Sequence, residues 1–247
     1  GVKTTNGFIG TTPDSLPAAN IPEKISPKGF ATGVISTDNI SGATPSVFYA
    51  HSASRKATSE ILAQLPGSKL DFFAAGCVTL WNKYAPEQVA ELSKAGFTVI
   101  NDYNKISENA SAKRIGVIAA DKDIQPIMNG RGDFLPSTTR QAIDFLSSKS
   151  KKGFFLMVEG AQIDWGSHNN DVKYTVTEVI DFDKAVSEAL KFADKDGHTL
   201  VIITADHETG GMTIPNGNYA KKSVKALYTT AGHSGIMVPV YAYGPYS

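Results

Sequence analysis

The chain has 247 residues, 41% of them apolar, so it can bury a sizeable core and is neither disordered nor collagen-like. Lysine plus arginine and aspartate plus glutamate both number 24, giving zero formal charge and a pI near 7.1; no global field draws it to nucleic acid or an anionic membrane, and a small-molecule partner is expected. Cys77 is the one cysteine, which excludes an intrachain disulfide and a cysteine-based zinc finger and leaves any metal to histidines and carboxylates.

No run approaches the roughly 18 apolar residues of a membrane span, and no basic-then-apolar leader opens the chain. It begins at Gly1, which predicts a processed, engineered or shortened protein. The first 22 residues are rich in Gly, Pro, Thr and Asn and read as loop, with at most one short strand near Phe8. Asp14 and Ser15 pair a carboxylate with a hydroxyl, but Pro13 and Pro17 flank them and no helix N-terminus stands behind, so they are not read as catalytic. Phe30 to Thr37 reads as a strand, followed by a polar loop from Asp38 to Thr44. From Thr44 and Pro45 the apolar positions fit one or two helices in a segment that carries Arg55.

Residues 70–76 and 97–101 read as strands with a helix between them from Pro86 to Ala95, a βαβ rhythm that predicts a parallel sheet. Lys113 to Ala119 adds a strand. Asp121 to Leu135 is weakly patterned and contains Arg131, Gly132 and Asp133, an adhesive-type triplet that arises easily by chance. Ser137 is the N-cap candidate of the helix that follows.

Phe154 to Val158 is short, apolar and bounded by Gly153 and Gly160, the pattern of a buried central strand, with Glu159 at its carboxyl end where open α/β sheets place their ligands. Asp164 and His168 are four apart; on a helix they share one face and suit one metal, although a surface pair is the alternative on these residues alone. Thr175 to Ala193 reads as an amphipathic helix stopped by Gly197, with His198 as exposed punctuation. Thr199 to Ala205 is a second buried strand, delivering Asp206 and His207. A glycine loop, a basic stretch from Lys221 to Lys225, the Gly232-His233-Ser234-Gly235 turn and a last strand, Ile236 to Tyr243, complete the chain.

Three of the five histidines, His168, His207 and His233, thus lie beside strand ends, whereas His51 and His198 do not. Histidine and carboxylate ligands suit catalytic zinc, Thr44 and Glu159 add oxygen ligands suited to magnesium, and Arg55 offers a planar fork for phosphate. With GVKT at 1–4, ATP at 43–45, AHSASR at 50–55, VEGAQIDWGSH at 158–168, TADHETGG at 204–211 and GHSG at 232–235, the chain resembles the alkaline phosphatase family from end to end.

The resemblance implies a three-layer α/β sandwich with a largely parallel central sheet and helices on both faces, residues 1–247 forming one such domain without its N-terminal part. It implies that Asp164, His168 and His233 hold one zinc, that Asp206 and His207 hold a second, that Thr44 and Glu159 contribute to a magnesium site, and that Arg55 clamps phosphate. The implied reaction is hydrolysis of a phosphate monoester to inorganic phosphate by two-zinc in-line transfer through a phosphoserine. A periplasmic or secreted location and a homodimer would be ordinary, with no role for nucleic acid or a membrane span. Two family motifs have no counterpart: the early Asp-Gly-Met/Asn-Gly, whose Asp bridges metals, and the Asp-Ser-Ala/Ser that carries the nucleophile. The chain therefore resembles an alkaline phosphatase starting just after its nucleophile and is expected to be inactive alone. Gly42 stands where many members have Asp or His near magnesium, and Trp165 where others have Lys or His. The competing readings are a non-catalytic metal- or phosphate-binding fragment or degenerate paralogue, and another metal-dependent superfamily member such as a phosphodiesterase, phosphopentomutase or sulfatase.

Overall fold

The computed structural model describes residues 1–76, 87–120 and 123–247, so Cys77, the expected helix start at Pro86, and Asp121 lie outside the described residues. The described chain divides into two compact units, one of residues 1–125 and 137–159, the other of residues 126–136 and 160–247.

The first unit is built on a five-stranded, wholly parallel sheet in the order β3-β4-β2-β1-β5: β1 Ala31–Asn39, β2 Phe72–Gly76, β3 Phe97–Ile100, β4 Arg114–Ile118 and β5 Phe154–Glu159. Parallel neighbours require crossovers. Between strands the chain forms α1 Ile21–Ile25 (before β1), α2 Ala43–Ser46, α3 Thr58–Gln64, α4 Gln88–Lys94 and α5 Phe134–Lys149. Val34, Phe73, Ile61, Leu62, Leu65 and Leu92 are buried in one apolar cluster with no measurable exposure, which is what fixes the inward faces of β1, β2, α3 and α4. Arg114 closes the amino ends of the strands: its guanidinium donates to the carbonyls of Leu70, Pro66, Ala95 and Ser68 and lies 3.7 Å from the Phe97 ring centroid.

Two expectations are corrected here. The strand at 154–159 pairs only with β1 among the described residues and is half-buried throughout, so it is an edge strand of this sheet and not a buried central one. Apolar content marks a strand but does not say how many neighbours it has. α5 begins at Phe134 and not at Ser137, whose Oγ and carbonyl instead accept from Gln141 Nε2 one turn later. Pro136, with its fixed φ, suits a first helical turn and lets the helix start earlier.

In the second unit α6 (Gln162–His168) is followed by α7 (Val172–Asp196), whose N-cap Asp171 accepts from Tyr174 N–H and whose C-cap Gly197 adopts φ 72°. The close approach of α6 and α7 needs Gly166, since a Cβ there would sit 2.7 Å from the backbone nitrogen of Thr175. Three antiparallel pairs follow: β6 Val201–Ile203 with β11 Tyr241–Tyr243, β7 Glu208–Thr209 with β10 His233–Ser234, and the hairpin β8 Thr213–Asn218 with β9 Ser223–Leu227. The expected buried strand at 199–205 is reduced to three residues, Ile202 among them 59% exposed, and the last strand to 241–243. β-branching favours strand geometry; burial depends on what covers the strand.

Arg131 is not displayed as an adhesive triplet would require. It is buried, and its Nη2 bonds Glu178 Oε2 at 2.6 Å and Asp181 Oδ2 at 2.7 Å, two carboxylates on one face of α7, while Glu178 Oε1 accepts from Ile127 N–H. Removing the cation would strand two carboxylates in the interior. Arg131→Ala should therefore lower the unfolding free energy by about 3–5 kcal/mol, measured by urea denaturation; a change under about 1 kcal/mol, the range of an exposed ion pair, would contradict this packing.

His51, outside the histidine constellation, ties the N-terminal loop to α1. Nδ1 is 2.5 Å from the Gly10 carbonyl and Nε2 is 3.0 Å from Glu23 Oε1, so both ring nitrogens face acceptors and the protonated ring fits best. Burial opposes the charge, but the bonds to Glu23 and Gly10 outweigh it and hold the imidazole above its ordinary value of 6.5. Burial also opposes ionisation of Glu23, yet the bonds from His51 and the Asn20 N–H bring its carboxyl below the ordinary 4.5. A raised histidine stabilises fully below 6.5 and loses this as pH rises through its folded value; a lowered glutamate stabilises above 4.5 and loses this as pH falls through its folded value. The melting temperature of Glu23→Gln should thus fall furthest below that of the parent chain between those two pH values, and the gap should narrow above neutrality.

Candidate metal site

α6 projects Asp164 and His168 from successive turns of one face, and β10 brings His233 to them. Asp164 Oδ1 lies 3.4 Å from His168 Nε2 and 3.7 Å from His233 Nε2, and the two Nε2 atoms are 3.2 Å apart. A tetrahedral ion with ligands at 2.0–2.1 Å has ligand-to-ligand edges of about 3.3 Å. The three donor atoms therefore already stand at the spacing of one face of such a tetrahedron. Their side chains are one-third to one-half exposed, which leaves the fourth direction accessible.

The ring of His168 is held by its far nitrogen. Nδ1 donates to the Ala231 carbonyl at 2.6 Å, which leaves the lone pair on Nε2, facing the other donors. The loop carrying that carbonyl is fixed in turn: Gly210 N–H donates to Gly232 O, Thr229 and Thr230 N–H donate to Gly210 O, and Tyr228 Oη donates to Thr175 Oγ1 on α7 at 2.8 Å. The Asn170 amide, oriented to donate, reaches the carbonyls of Ser167 and Thr230. At the base of β10, Ser234 donates to Glu208, which holds that carboxyl below its ordinary range.

His207 stacks on His233 with ring centroids 3.6 Å apart and an interplanar angle of 22°, and its Nε2 lies 3.1 Å from Asp206 Oδ2. Asp206 and His207 thus form a second pair of donors at the same edge length, beside the first set. Thr209, two residues on along the strand direction, contacts members of both sets; the period-2 rule could have drawn attention to it, since residues two apart share a face.

Within the first unit, register places Ser36 opposite Glu159, and Ser36 Oγ donates to Glu159 Oε2 at 2.5 Å. Thr44 is half-buried in the first turn of α2, and Arg55 is exposed, its backbone N–H bonded to Gly7 O. A residue that the sequence did not single out, Asp38, joins this group. The β1–β2 ladder is irregular between Ile35 and Asn39, and the Asp38 N–H donates there to Ser36 Oγ. A Cβ on Gly42 would lie 2.1 Å from Asp38 Oδ2, so this carboxylate fills the space that a side chain at 42 would take. Burial, with the like charges of Glu159 and Asp123, pushes the Asp38 carboxyl up to about 7 against the lowering bond from Asn39 N–H and the charge of Arg55. The nearest signal in the sequence is the strand-end position itself.

Asp14 and Ser15 lie in an exposed turn in which Ser15 N–H donates to Thr12 O. His198 is exposed after the end of α7, as expected.

A family model described as alkaline phosphatase matches residues 1–80 and 86–247. Alkaline phosphatase 4 of Bacillus subtilis (strain 168) is 37% identical over 222 residues, covering 87% of this chain and 48% of the relative. Alkaline phosphatase of Escherichia coli (strain K12) is 30% identical over 319 residues, covering 100% and 67%. Among solved structures, alkaline phosphatase from the Antarctic bacterium TAB5 superposes with a TM-score of 0.92 at 39% identity, covering 98% of this chain and 73% of that one. A histidine-to-glutamate variant of the TAB5 enzyme, 40% identical with the same TM-score, was solved with Mg bound in its M3 site. The chain spans about half the length of the Bacillus relatives.

The contact between Asp38 and Gly42 is testable without any metal. Gly42→Ala should destabilise the chain by roughly 1–3 kcal/mol, as overpacking does, and Asp38→Ala in the same chain should recover most of that loss. Thermal unfolding of the single and double variants in EDTA measures the coupling; strictly additive effects would mean that the carboxylate does not occupy that space.

Proposed function

Since this chain belongs to the alkaline phosphatase family, we propose that it carries the zinc-binding half of a phosphate monoester hydrolase. The observation that supports this best is the meeting of Asp164 Oδ1, His168 Nε2 and His233 Nε2 at tetrahedral edge lengths. In this reading those three hold one zinc, Asp206 and His207 contribute to a second, and Thr44 and Glu159, with the oxygen-rich surroundings of Asp38, contribute to magnesium. The donor chemistry fits: nitrogen with carboxylate suits zinc, and all-oxygen donors suit magnesium. When bound, such ions supply charge stabilisation for an in-line phosphoryl displacement and lower the pKa of water.

The chain's own residues prepare that chemistry. Ala231 and the glycine loop hold His168 in the tautomer that presents Nε2. Ser36 orients Glu159, and the Arg55 guanidinium, exposed and with its donors on one planar fork, binds two phosphate oxygens side by side. The serine nucleophile and the bridging aspartate of the family are not among these 247 residues. Inorganic phosphate is the product and ligand, and a homodimer and a periplasmic or secreted location are proposed from the family alone. No helix among the described residues is long and apolar enough to cross a membrane.

Zinc titration of the chain against a chromogenic chelator tests the reading. The unsubstituted chain should bind zinc, and His233→Ala and Asp164→Asn should each weaken the tighter site by at least tenfold; unchanged zinc content in both variants would overturn the ligand assignment. Turnover of an aryl phosphate should be negligible with zinc and magnesium present. EDTA-sensitive turnover by a chain verified by mass to start at Gly1 would show that the nucleophile lies within it after all.

A further inference from the structure

Thr209 stands where the two donor sets meet. Its backbone pairs with His233 in the β7–β10 ladder, its Oγ1 is 2.5 Å from Asp164 Oδ1, and the same Oγ1 is 3.2 Å from His207 Nδ1. The residue is 9% exposed. One side chain therefore touches a carboxylate of the first set and an imidazole of the second, while its main chain sets the register of a third ligand.

Proton counting orders these contacts. A hydroxyl has one proton to give and lone pairs with which to accept, and an ionised carboxylate only accepts. The Thr209 proton is thus committed to Asp164. The contact with His207 can then be a hydrogen bond only if Nδ1 carries the proton and donates to Oγ1. Neutral His207 is then left with its lone pair on Nε2, facing the acceptor Asp206 Oδ2 at 3.1 Å, two lone pairs that only a cation between them reconciles. This is what a second metal ligand requires, and it matches the state that the Ala231 carbonyl imposes on His168.

We infer that Thr209 is a positioning residue shared by both zinc sites: through a single relay, His207 Nδ1–H to Thr209 Oγ1–H to Asp164, it orients the carboxylate of one site and fixes the ring tautomer of the other. The inference rests on the zinc assignment proposed above. β-branching suits the role, because it restricts χ1 and keeps the hydroxyl on the Asp164 side of the strand without further support. Neighbouring Glu208, bonded by Ser234 and by Met212 N–H, points its side chain to other partners and does not compete for Asp164.

The test compares Thr209→Val, which keeps the shape and loses the hydroxyl, with Thr209→Ser, which keeps the hydroxyl and loses the methyl group. In the full chain, zinc affinity of both sites should fall roughly 10- to 100-fold in Thr209→Val, as for loss of other groups that orient ligands, and should stay within a few-fold of the parent in Thr209→Ser. Equal losses in the two variants would mean that Thr209 acts by packing and would overturn the proposal. Parent-like zinc binding by Thr209→Val, alongside weakened binding by His233→Ala, would also overturn it while leaving the zinc assignment standing. Unchanged binding by His233→Ala and Asp164→Asn would remove the assignment itself.

Discussion

A neutral histidine offers a metal only the nitrogen that carries no proton, and for His168 that choice is made by the Ala231 carbonyl 2.6 Å from Nδ1. The bond matters beyond its own modest energy. It fixes the ring plane as well as the tautomer, and with it the direction of the lone pair relative to Asp164 and His233. Much of the second unit serves to keep that carbonyl where it is. Tyr228 reaches Thr175 on α7, the Gly210 carbonyl receives two N–H groups from the loop, and Gly166 lets α6 lie close enough to α7 for both to support one face. A helix of seven residues has little stability of its own, so the position of Asp164 and His168 is inherited from α7 and from this loop.

Two acidic neighbourhoods among the described residues solve opposite problems. At Glu178 and Asp181 the charge is answered within the protein: Arg131 satisfies both carboxylates, and with all three side chains no more than 2% exposed, nothing else needs to enter. At Asp38 the compensation is incomplete. Asn39 N–H bonds Asp38 and the charge of Arg55 acts on it, yet burial and the like charges of Glu159 and Asp123 outweigh both, and the Asp38 carboxyl holds its proton to about 7. A fully compensated cluster is costly to break, whereas an under-compensated carboxylate at a strand end favours a bound cation.

The parts of the molecule that are legible in the sequence are those where chemistry and period coincide. Asp164 and His168 can be read as one face because their spacing is helical, and a helix forms there. Gly197 can be read as the end of α7 because a left-handed cap favours glycine. The parallel sheet follows from the alternation of strands and helices. What is not legible depends on neighbours. The edge position of β5 and the exposure of Ile202 are set by which strands lie alongside, and hydrophobic composition is blind to that. Asp38 is hidden for a different reason: its importance comes from the missing side chain of Gly42, four residues away, and from an irregular ladder that turns it toward Ser36.

Thr209 shows the limit most clearly. Within TADHETGG the aspartate and histidine draw attention because they can bind a metal, and threonine cannot compete on donor strength. Yet donors placed by separate elements, α6, the segment after β6 and β10, have no reason to agree in direction unless something touches more than one of them. A hydroxyl is the smallest group that can donate to one partner and accept from another at once. Valine would fill the same volume and keep the strand, but it would remove the hydroxyl that touches both Asp164 and His207. The requirement is therefore for one proton in one place, a constraint that neither hydrophobic periodicity nor ligand spacing encodes and that becomes visible only when the β7–β10 register sets Thr209 beside His233.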